Sequence, residues 1–184
     1  MAGGQLARFY NLPYRTSACS ASNAADAQAV WETQMALWGA VTGHGNLVYH
    51  AAGWGEGGLV ADFEKLVIDC EMLQAMAAML RPVGFDTADF GFSAHDEVDP
   101  GGHFFGTAHT MERYQDAFYA PFLSDWSNHE NWRDAGSKTA TTRAMALWPR
   151  MLDAYTLPPM DAGRIEEMQA YIAHRKEQIG SDTP

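Results

Sequence analysis

The feature that most constrains this chain is an alternation of helix and strand patterns in its first half, with short connections between them. A helical pattern over 5–10 precedes a strand pattern over 14–18, and a long amphipathic helix then leads to a second strand pattern over 46–50. Such an alternation is typical of α/β proteins with parallel strands. Because parallel sheets are covered on both faces and only two or three strands can be found, we expect the chain to be part of a larger α/β structure.

Two long helices are predicted from their caps and apolar spacing. Asn23 is the expected N-cap of the first, with Asp26 in its first turn, and Gly43 with Gly45 should end it. Asp62 is the expected N-cap of the second, which should end at 81–82. The predicted buried stripes are Ala27, Val30, Trp31, Gln34, Leu37, Trp38 and Val41 in the first, and Phe63, Leu66, Val67, Cys70, Leu73 and Ala77 in the second.

The second half of the chain has a different character. An acidic short helix is expected within 86–98 and an extended segment at 103–105. Only helices are expected afterwards, at 110–119, 128–154 and 161–179, and Pro149 should kink or break the middle one.

Charge and cysteine content exclude several classes of partner and compartment. With 12 Lys and Arg against 23 Asp and Glu, the formal net charge is −11. Nucleic acid or an anionic membrane would require clustered basic residues, so neither is expected as the main partner. The two cysteines, Cys19 and Cys70, form no CxxC motif, and no segment approaches the roughly 20 apolar residues of a membrane span. We therefore expect a cytoplasmic location.

Five segments of the chain resemble the trimethylamine methyltransferase (MttB-like) superfamily. They are GGQLARFYNLP at 3–13, DAQA at 26–29, NLVYHAAGWGEGGL at 46–59, GGHFFGTAHT at 101–110 and FYAP at 118–121. They occur in the family's order and extend through most of the chain. The chain is thus identified as resembling the C-terminal part of a member that lacks pyrrolysine.

This resemblance implies the C-terminal portion of a (β/α)8 TIM-type barrel, followed by a helical C-terminal extension. Residues 1–106 would be the last βα units of the barrel and residues 107–184 the extension. The implied activity belongs to methylamine metabolism: a methyl group moves from a methylamine, or from a quaternary amine such as a betaine, to the Co(I) corrinoid (cobalamin) of a partner protein. Without pyrrolysine a quaternary amine is favoured, because it already has a neutral amine as its leaving group.

The candidate substrate-binding residues follow from this implied barrel. Aromatic faces suit a quaternary ammonium ion, so we expect Tyr49, Trp54 and Phe104 to bind it. His50, at a strand end, could bind a betaine carboxylate or orient the corrinoid, and Glu56 could balance the substrate cation. Both could instead be structural. His103 and His109 are possible further pocket residues.

Three alternatives remain open at this point. His50, Glu56, His103 and His109 are ligand types for zinc, but their spacing matches no short metal motif, so no metal is expected. The glycine-rich segment 53–58 lacks the GxGxxG spacing of a dinucleotide site. Finally, the chain could be a truncated, non-catalytic remnant that serves as an interaction module. In either case, its 47% hydrophobic content and incomplete sheet predict self-association of the isolated chain.

Overall fold

The computed structural model describes residues 1–180, which divide into two compact units at Arg150. The first unit contains all four strands, and the second, beginning at Met151, consists mainly of one helix. The elements are α1 (Ala2–Phe9), β1 (Arg15–Ser17), α2 (Ala27–Thr42), β2 (Leu47–Tyr49), β3 (Trp54–Gly55), a 3-10 turn (Glu56–Gly58), β4 (Val60–Ala61), α3 (Phe63–Met79), α4 (Phe92–Asp96), α5 (Ala108–Arg113), α6 (His129–Asp134), α7 (Ala140–Asp153) and α8 (Ala162–Ile179).

A parallel pair of strands confirms the predicted mixed helix and strand construction. β1 pairs with β2 in parallel, with Arg15 opposite Leu47 and Ser17 opposite Tyr49. The helix α2 connects them, so β1, α2, β2 and α3 form two consecutive βα units. The segment after β2 was predicted as a loop, but it contains a short antiparallel hairpin in which Trp54 faces Ala61.

Aspartate side chains cap both long helices, and one of the two caps was predicted. Asp62 accepts a hydrogen bond from the Lys65 backbone N–H, as predicted for the second helix. For α2 the prediction was displaced by one turn: the cap is Asp26, which accepts from the Ala29 N–H, rather than Asn23. Ser22 Oγ also donates to Asp26 Oδ1 at 3.4 Å, which links this cap to the segment before α2.

The predicted buried stripes of α2 and α3 were largely wrong. Trp31 is 61% exposed and Phe63 is 54% exposed, whereas the buried residues of α2 are Ala29, Thr33, Leu37 and Ala40. On α3 the buried set includes charged residues: Lys65, Val67, Ile68, Asp69, Glu71 and Met76. Both helices carry apolar residues around most of their circumference, so spacing alone could not select the face that packs.

The predicted helix over 161–179 is confirmed as α8, but the other helices after α3 are shorter than predicted. The segment 103–105 is a bend and turn rather than a strand, and α5 ends at Arg113. The helix predicted over 128–154 is two helices, because the chain between α6 and α7 has left-handed backbone conformations at Gly136 (φ 95°) and Ser137 (φ 53°). Pro149 does not break α7, which continues through it to Asp153.

Two small apolar clusters form the core of the first unit. One joins Val67 and Ile68 of α3 to Leu123 and Ala144, and the other joins Ala18, Leu37 and Met76. Trp148 extends the first cluster by stacking on Phe63 at 4.8 Å between ring centroids. Within residues 1–180, no helix is long and apolar enough to cross a membrane.

The division predicted between residues 106 and 107 concerns the implied barrel and its extension, and it stays a prediction. In the second unit α8 is exposed along its length. Residues 181–184 of the predicted extension lie outside the described part of the chain.

Candidate functional site

The carboxyl ends of β1 and β2 lie at one edge of the parallel pair, and the two segments that follow them are joined there. The Ser20 N–H donates to the Trp54 carbonyl at 3.3 Å, the Gly57 N–H to the Ser20 carbonyl at 2.8 Å, and the Glu56 N–H to the Ser22 carbonyl at 3.1 Å. These bonds join the segment 18–22 to the segment 54–57. We call the residues at this edge, 15–22 and 49–57, the strand-end rim. It positions most of the residues that the sequence singles out around His50.

Three of the predicted residues are brought together at the rim. The rings of His50 and Trp54 meet edge to face, with centroids 4.9 Å apart and planes at 77°, and Tyr49 lies 5.9 Å from His50. His50 Nδ1 is hydrogen-bonded to Ser17 Oγ at 2.9 Å. The imidazole is therefore held from one side by a hydroxyl and from another by an indole.

Tyr49 already has a cation on its ring. The Arg15 guanidinium carbon lies 4.5 Å from the ring centroid, and Tyr49 is 44% exposed. Arg15 and Ser17 alternate with Thr16 along β1, so both project to the face that also carries Tyr49. This contact shows that the ring accepts a cation, but the face under Arg15 is not free for a substrate.

Trp54 borders a small apolar pocket of about 220 Å³. Its other lining residues are Ala52, Gly53, Ala61, Asp62, Phe63 and Leu66. Pockets for drug-sized ligands are about 300–1,000 Å³, so this one suits a much smaller group.

Glu56 and His50 both have left-handed backbone conformations. Glu56 has φ 50° and His50 has φ 55°, while the Glu56 side chain is exposed beside the hairpin. Such conformations cost about 1–3 kcal/mol for residues other than glycine and cluster at functional sites. Asn11, His44 and Ser137 have the same conformation away from the rim, so the backbone alone does not single out His50 and Glu56.

The remaining predicted residues lie elsewhere. Phe104 and His109 line a separate pocket of about 230 Å³ that shares no lining residue with the Trp54 pocket. There the Phe104 ring meets His95 at 5.1 Å, and His109 Nε2 lies 3.1 Å from the Ala88 carbonyl oxygen. His103 is exposed and packs against Phe105 at 5.3 Å. The predicted set is thus divided between the strand-end rim and this second pocket.

The sequence analysis missed a buried charged pair that holds the backbone of the rim in place. Lys65 Nζ donates to Asp69 Oδ2 at 2.5 Å and to Thr33 Oγ1 at 2.9 Å, and all three residues are at most 4% exposed. The same Asp69 oxygen accepts the Gly53 N–H at 2.8 Å, which fixes the residue before Trp54. Burial raises the pKa of Asp69, although the hydrogen bonds from Lys65 and Gly53 act in the opposite direction. The four-residue spacing of Lys65 and Asp69 was the available sequence signal.

Glu32 organises the other half of the rim and was also missed. Its Oε2 accepts hydrogen bonds from Ser20 Oγ at 2.8 Å, the Ala21 N–H at 2.8 Å and the Ser22 N–H at 3.2 Å. The hydrogen bonds from Gln28 and Ser20 hold the pKa of Glu32 below its ordinary value. A single carboxylate on α2 thus fixes the segment that follows β1.

The rim also contains Cys19, whose Sγ lies 3.5 Å from Ser17 Oγ. Nothing in the sequence indicated that Ser17, Cys19 and Arg15 would accompany His50, since these residues become neighbours only through strand pairing. In the part of the chain that the structure describes, no three His, Cys, Asp or Glu side chains converge in a way that could hold a metal ion.

Comparisons with known proteins agree on one family. The family model described as trimethylamine methyltransferase (MTTB) matches residues 1–180. A glycine betaine methyltransferase of Desulfitobacterium hafniense strain Y51 is 34% identical over 98% of this chain and 38% of its own length. Trimethylamine methyltransferases MttB of D. hafniense strain DCB-2 and of Methanosarcina barkeri strain Fusaro are 25% and 29% identical, over 96% and 91% of this chain.

This chain spans little more than a third of the length of these relatives, with 35% and 34% of the two MttB proteins covered. The match nevertheless extends over almost every residue of the chain and includes every residue of the strand-end rim. The chain belongs to the trimethylamine methyltransferase (MTTB) family.

Proposed function

We propose that this chain forms part of a methyltransferase that moves a methyl group from a methylamine, or from a quaternary amine such as a betaine, to the Co(I) corrinoid of a partner protein. The observation that carries the proposal is the family match over residues 1–180. Relatives named for glycine betaine and for trimethylamine give the substrate class.

The two consecutive βα units support a place in a (β/α)8 barrel. In such barrels the active site lies at the carboxyl ends of the strands and in the segments that follow them. The strand-end rim follows the carboxyl ends of β1 and β2, and the sequence resemblance implies that these units belong to the C-terminal portion of such a barrel. We therefore propose that the rim is one part of the active-site wall.

At the rim, the chain's own residues would bind and orient the methylated amine. The Trp54 indole and the apolar pocket beside it would accept the ammonium group, and the exposed Glu56 carboxylate would add a favourable charge. Tyr49 would contribute its uncovered face and edge. Phe104, His103 and His109 lie outside the rim, so a direct part in binding would require a second contact region.

A Co(I) corrinoid would supply the nucleophile, which takes the methyl carbon while the C–N bond electrons remain on the departing amine. The corrinoid would be carried by a partner protein, as the resemblance implies, and the aromatic faces and imidazole at the rim would contact the methylated amine. The protein's contribution would then be orientation of the methyl group and exclusion of water. The free cysteines Cys19 and Cys70 and the reduced cobalt both suit the cytoplasm.

The test is methyl transfer from glycine betaine, and separately from trimethylamine, to free Co(I) cobalamin by the full-length protein encoded by the gene. We expect the demethylated amine to appear in step with loss of Co(I) absorbance. Trp54→Ala should raise KM for the amine, whereas the matched control Trp126→Ala, at a tryptophan that is 71% exposed, should not.

The alternative function is that of an interaction module without catalytic activity. Absence of methyl transfer from either amine by the full-length protein, with a folded CD spectrum, would contradict the methyltransferase proposal and favour that alternative.

A further inference from the structure

Trp54 is held against α3 by the residue that precedes it. Gly53 uses both of its backbone groups in this contact: its N–H donates to Asp69 Oδ2 at 2.8 Å, and its carbonyl accepts the Asp62 N–H at 2.9 Å. Asp62 caps α3 and Asp69 lies about two turns further along, so the Gly53 peptide spans the beginning of the helix. The backbone that leads into Trp54 is therefore fixed by α3 as well as by the hairpin.

The contact requires a glycine. Gly53 has a left-handed backbone conformation with φ 77°, and a Cβ there would lie 3.1 Å from Leu66 Cβ. Because Leu66 Cβ is fixed by the helix backbone, no change of side-chain rotamer could relieve this close approach. The chain before Trp54 thus lies as near to α3 as its backbone allows.

The acceptor on α3 is oriented for this hydrogen bond. Asp69 is 0% exposed, and its Oδ2 accepts both the Gly53 N–H and the Lys65 ammonium. Its other oxygen, Oδ1, is buried without a hydrogen-bond partner among the described residues. The carboxylate is thus arranged around Gly53 and Lys65 even though its second oxygen stays unsatisfied.

The apolar pocket beside Trp54 is built from the two elements that this hydrogen bond joins. Residues 52–54 supply one part of its lining, and residues 62, 63 and 66, at the beginning of α3, supply another. The bond from Gly53 to Asp69 therefore fixes these two parts relative to each other. In a pocket of about 220 Å³, a displacement of Trp54 by about 1 Å is enough to disturb a bound group.

We infer that Asp69 is a positioning residue of the proposed amine site: by accepting the Gly53 N–H, it holds the Trp54 indole at the apolar pocket and so sets the affinity for a quaternary ammonium group. The inference rests on the proposed function, and it adds a residue that lies too deep to touch the ligand. Since Asp69 acts through Gly53 and Trp54, loss of its acceptor oxygen should weaken binding only while the Trp54 indole is present.

The test compares two double variants of the full-length protein, both of which lack the buried charges. Lys65→Met with Asp69→Leu leaves the Gly53 N–H without its acceptor, whereas Lys65→Met with Asp69→Asn retains an amide oxygen that can accept it. Binding of glycine betaine is measured by calorimetry after a folded circular dichroism spectrum has been confirmed. We expect the Asp69→Leu pair to bind about 5–30-fold more weakly than the wild-type protein, as for a lost cation–π contact, and the Asp69→Asn pair to stay within about threefold. If the Asp69→Leu pair does not fold, Lys65→Met with Asp69→Ala takes its place.

A double-mutant cycle determines whether the effect passes through Trp54. Trp54→Ala is introduced into the wild-type protein and into Lys65→Met with Asp69→Leu, and the glycine betaine affinities are compared. Once the indole is absent, the changes at 65 and 69 should alter the affinity by less than about twofold. Equal weakening with and without the indole would show a general structural effect and overturn the inference.

Glu71→Met is the matched control for loss of a buried acceptor on the same helix. Glu71 is 7% exposed, and its Oε2 accepts the Phe122 and Leu123 N–H groups, which lie outside the rim. We expect this variant to lower the urea midpoint and to leave the affinity for glycine betaine unchanged. If it weakens binding as much as the Asp69→Leu pair does, the positioning role is wrong.

The outcomes separate this inference from the proposed function. A wild-type protein that binds glycine betaine, together with an Asp69→Leu pair that binds it equally well, would overturn the inference and leave the amine site intact. Failure of the wild-type protein to bind glycine betaine would contradict the proposed function, and the positioning role would fall with it.

Discussion

The buried pair of Lys65 and Asp69 offers the sharpest test of how this fold supports its rim. We consider Asp69→Leu, which removes the carboxylate at a position that is 0% exposed. Lys65 then keeps only the hydroxyl of Thr33, and the Gly53 N–H loses its acceptor. Breaking a buried ion pair costs about 3–5 kcal/mol, and an unsatisfied buried N–H about 1–3 kcal/mol more. We therefore expect a loss of about 4–8 kcal/mol, against a typical domain stability of 5–15 kcal/mol.

The double variant Lys65→Met with Asp69→Leu should be more stable than Asp69→Leu alone, by at least about 2 kcal/mol. The reason is that Asp69→Leu leaves the Lys65 ammonium desolvated without its carboxylate, whereas the double variant leaves no buried charge. Replacing both charges removes that desolvation cost, as in other buried pairs.

The assay is urea unfolding at neutral pH, followed by far-UV circular dichroism. Asp134→Leu is the matched control, since the Arg133–Asp134 pair has side chains that are 63% and 69% exposed, and exposed pairs contribute less than about 1 kcal/mol. If Asp69→Leu does not fold, Asp69→Asn gives the same ranking with a smaller loss. The reasoning fails if Asp69→Leu costs no more than the control, or if the double variant is the less stable of the two.

Four further predictions concern the rim and the strands. Trp54→Ala should weaken binding of a quaternary amine to the full-length protein by about 1–2 kcal/mol through loss of a cation–π contact, and unchanged affinity by calorimetry would remove Trp54 from the site. Glu56→Gly should stabilise the chain by about 1 kcal/mol by relieving a φ of 50°, so a lower urea midpoint would count against strain there. Hydrogen bonds lower the folded-state pKa of Glu32, so its contribution to stability is present above the unfolded pKa of about 4.3 and is lost as pH falls through the folded value. Glu32→Gln should therefore make the free energy of unfolding less dependent on pH in the acid range. An unchanged pH dependence would refute this. Within residues 1–180, β1 and β2 pair only with each other, so the isolated chain should self-associate, whereas a monodisperse monomer by light scattering would contradict that expectation.

Local chemistry determined much of the fold directly from the sequence. The caps at Asp62 and Gly43 were predicted because a capping side chain or a terminal glycine acts within one turn of its own helix. The parallel pairing of β1 and β2 was likewise predictable, since a helix between two short strands leaves few other arrangements. The family, too, could be recognised from short motifs in their order along the chain.

The packing of α2 and α3 was decided only by the tertiary structure. Apolar residues surround both helices, so several faces were compatible with the 3.6-residue period. The chosen faces bury Thr33, Lys65 and Asp69, whose side chains hydrogen-bond to one another and to the Gly53 N–H across two helices and the segment after β2. Among the described residues, Asp69 Oδ1 alone is buried without a partner. Burying these polar side chains is favourable only when their hydrogen bonds form together. The 3.6-residue period of a helix carries no information about such partners on other elements.

In the candidate site, too, the sequence determined some of the neighbours and the tertiary structure determined the others. The sequence by itself placed Tyr49, His50, Trp54 and Glu56 in one segment, because they are close along the chain. It could not show that Phe104 and His109 lie in a different pocket. Nor could it show that Ser17 and Arg15 complete the rim from 33 or more positions away. Neighbours along the chain share a site because the backbone connects them, whereas Ser17 and His50 meet only because two strands pair in one particular register.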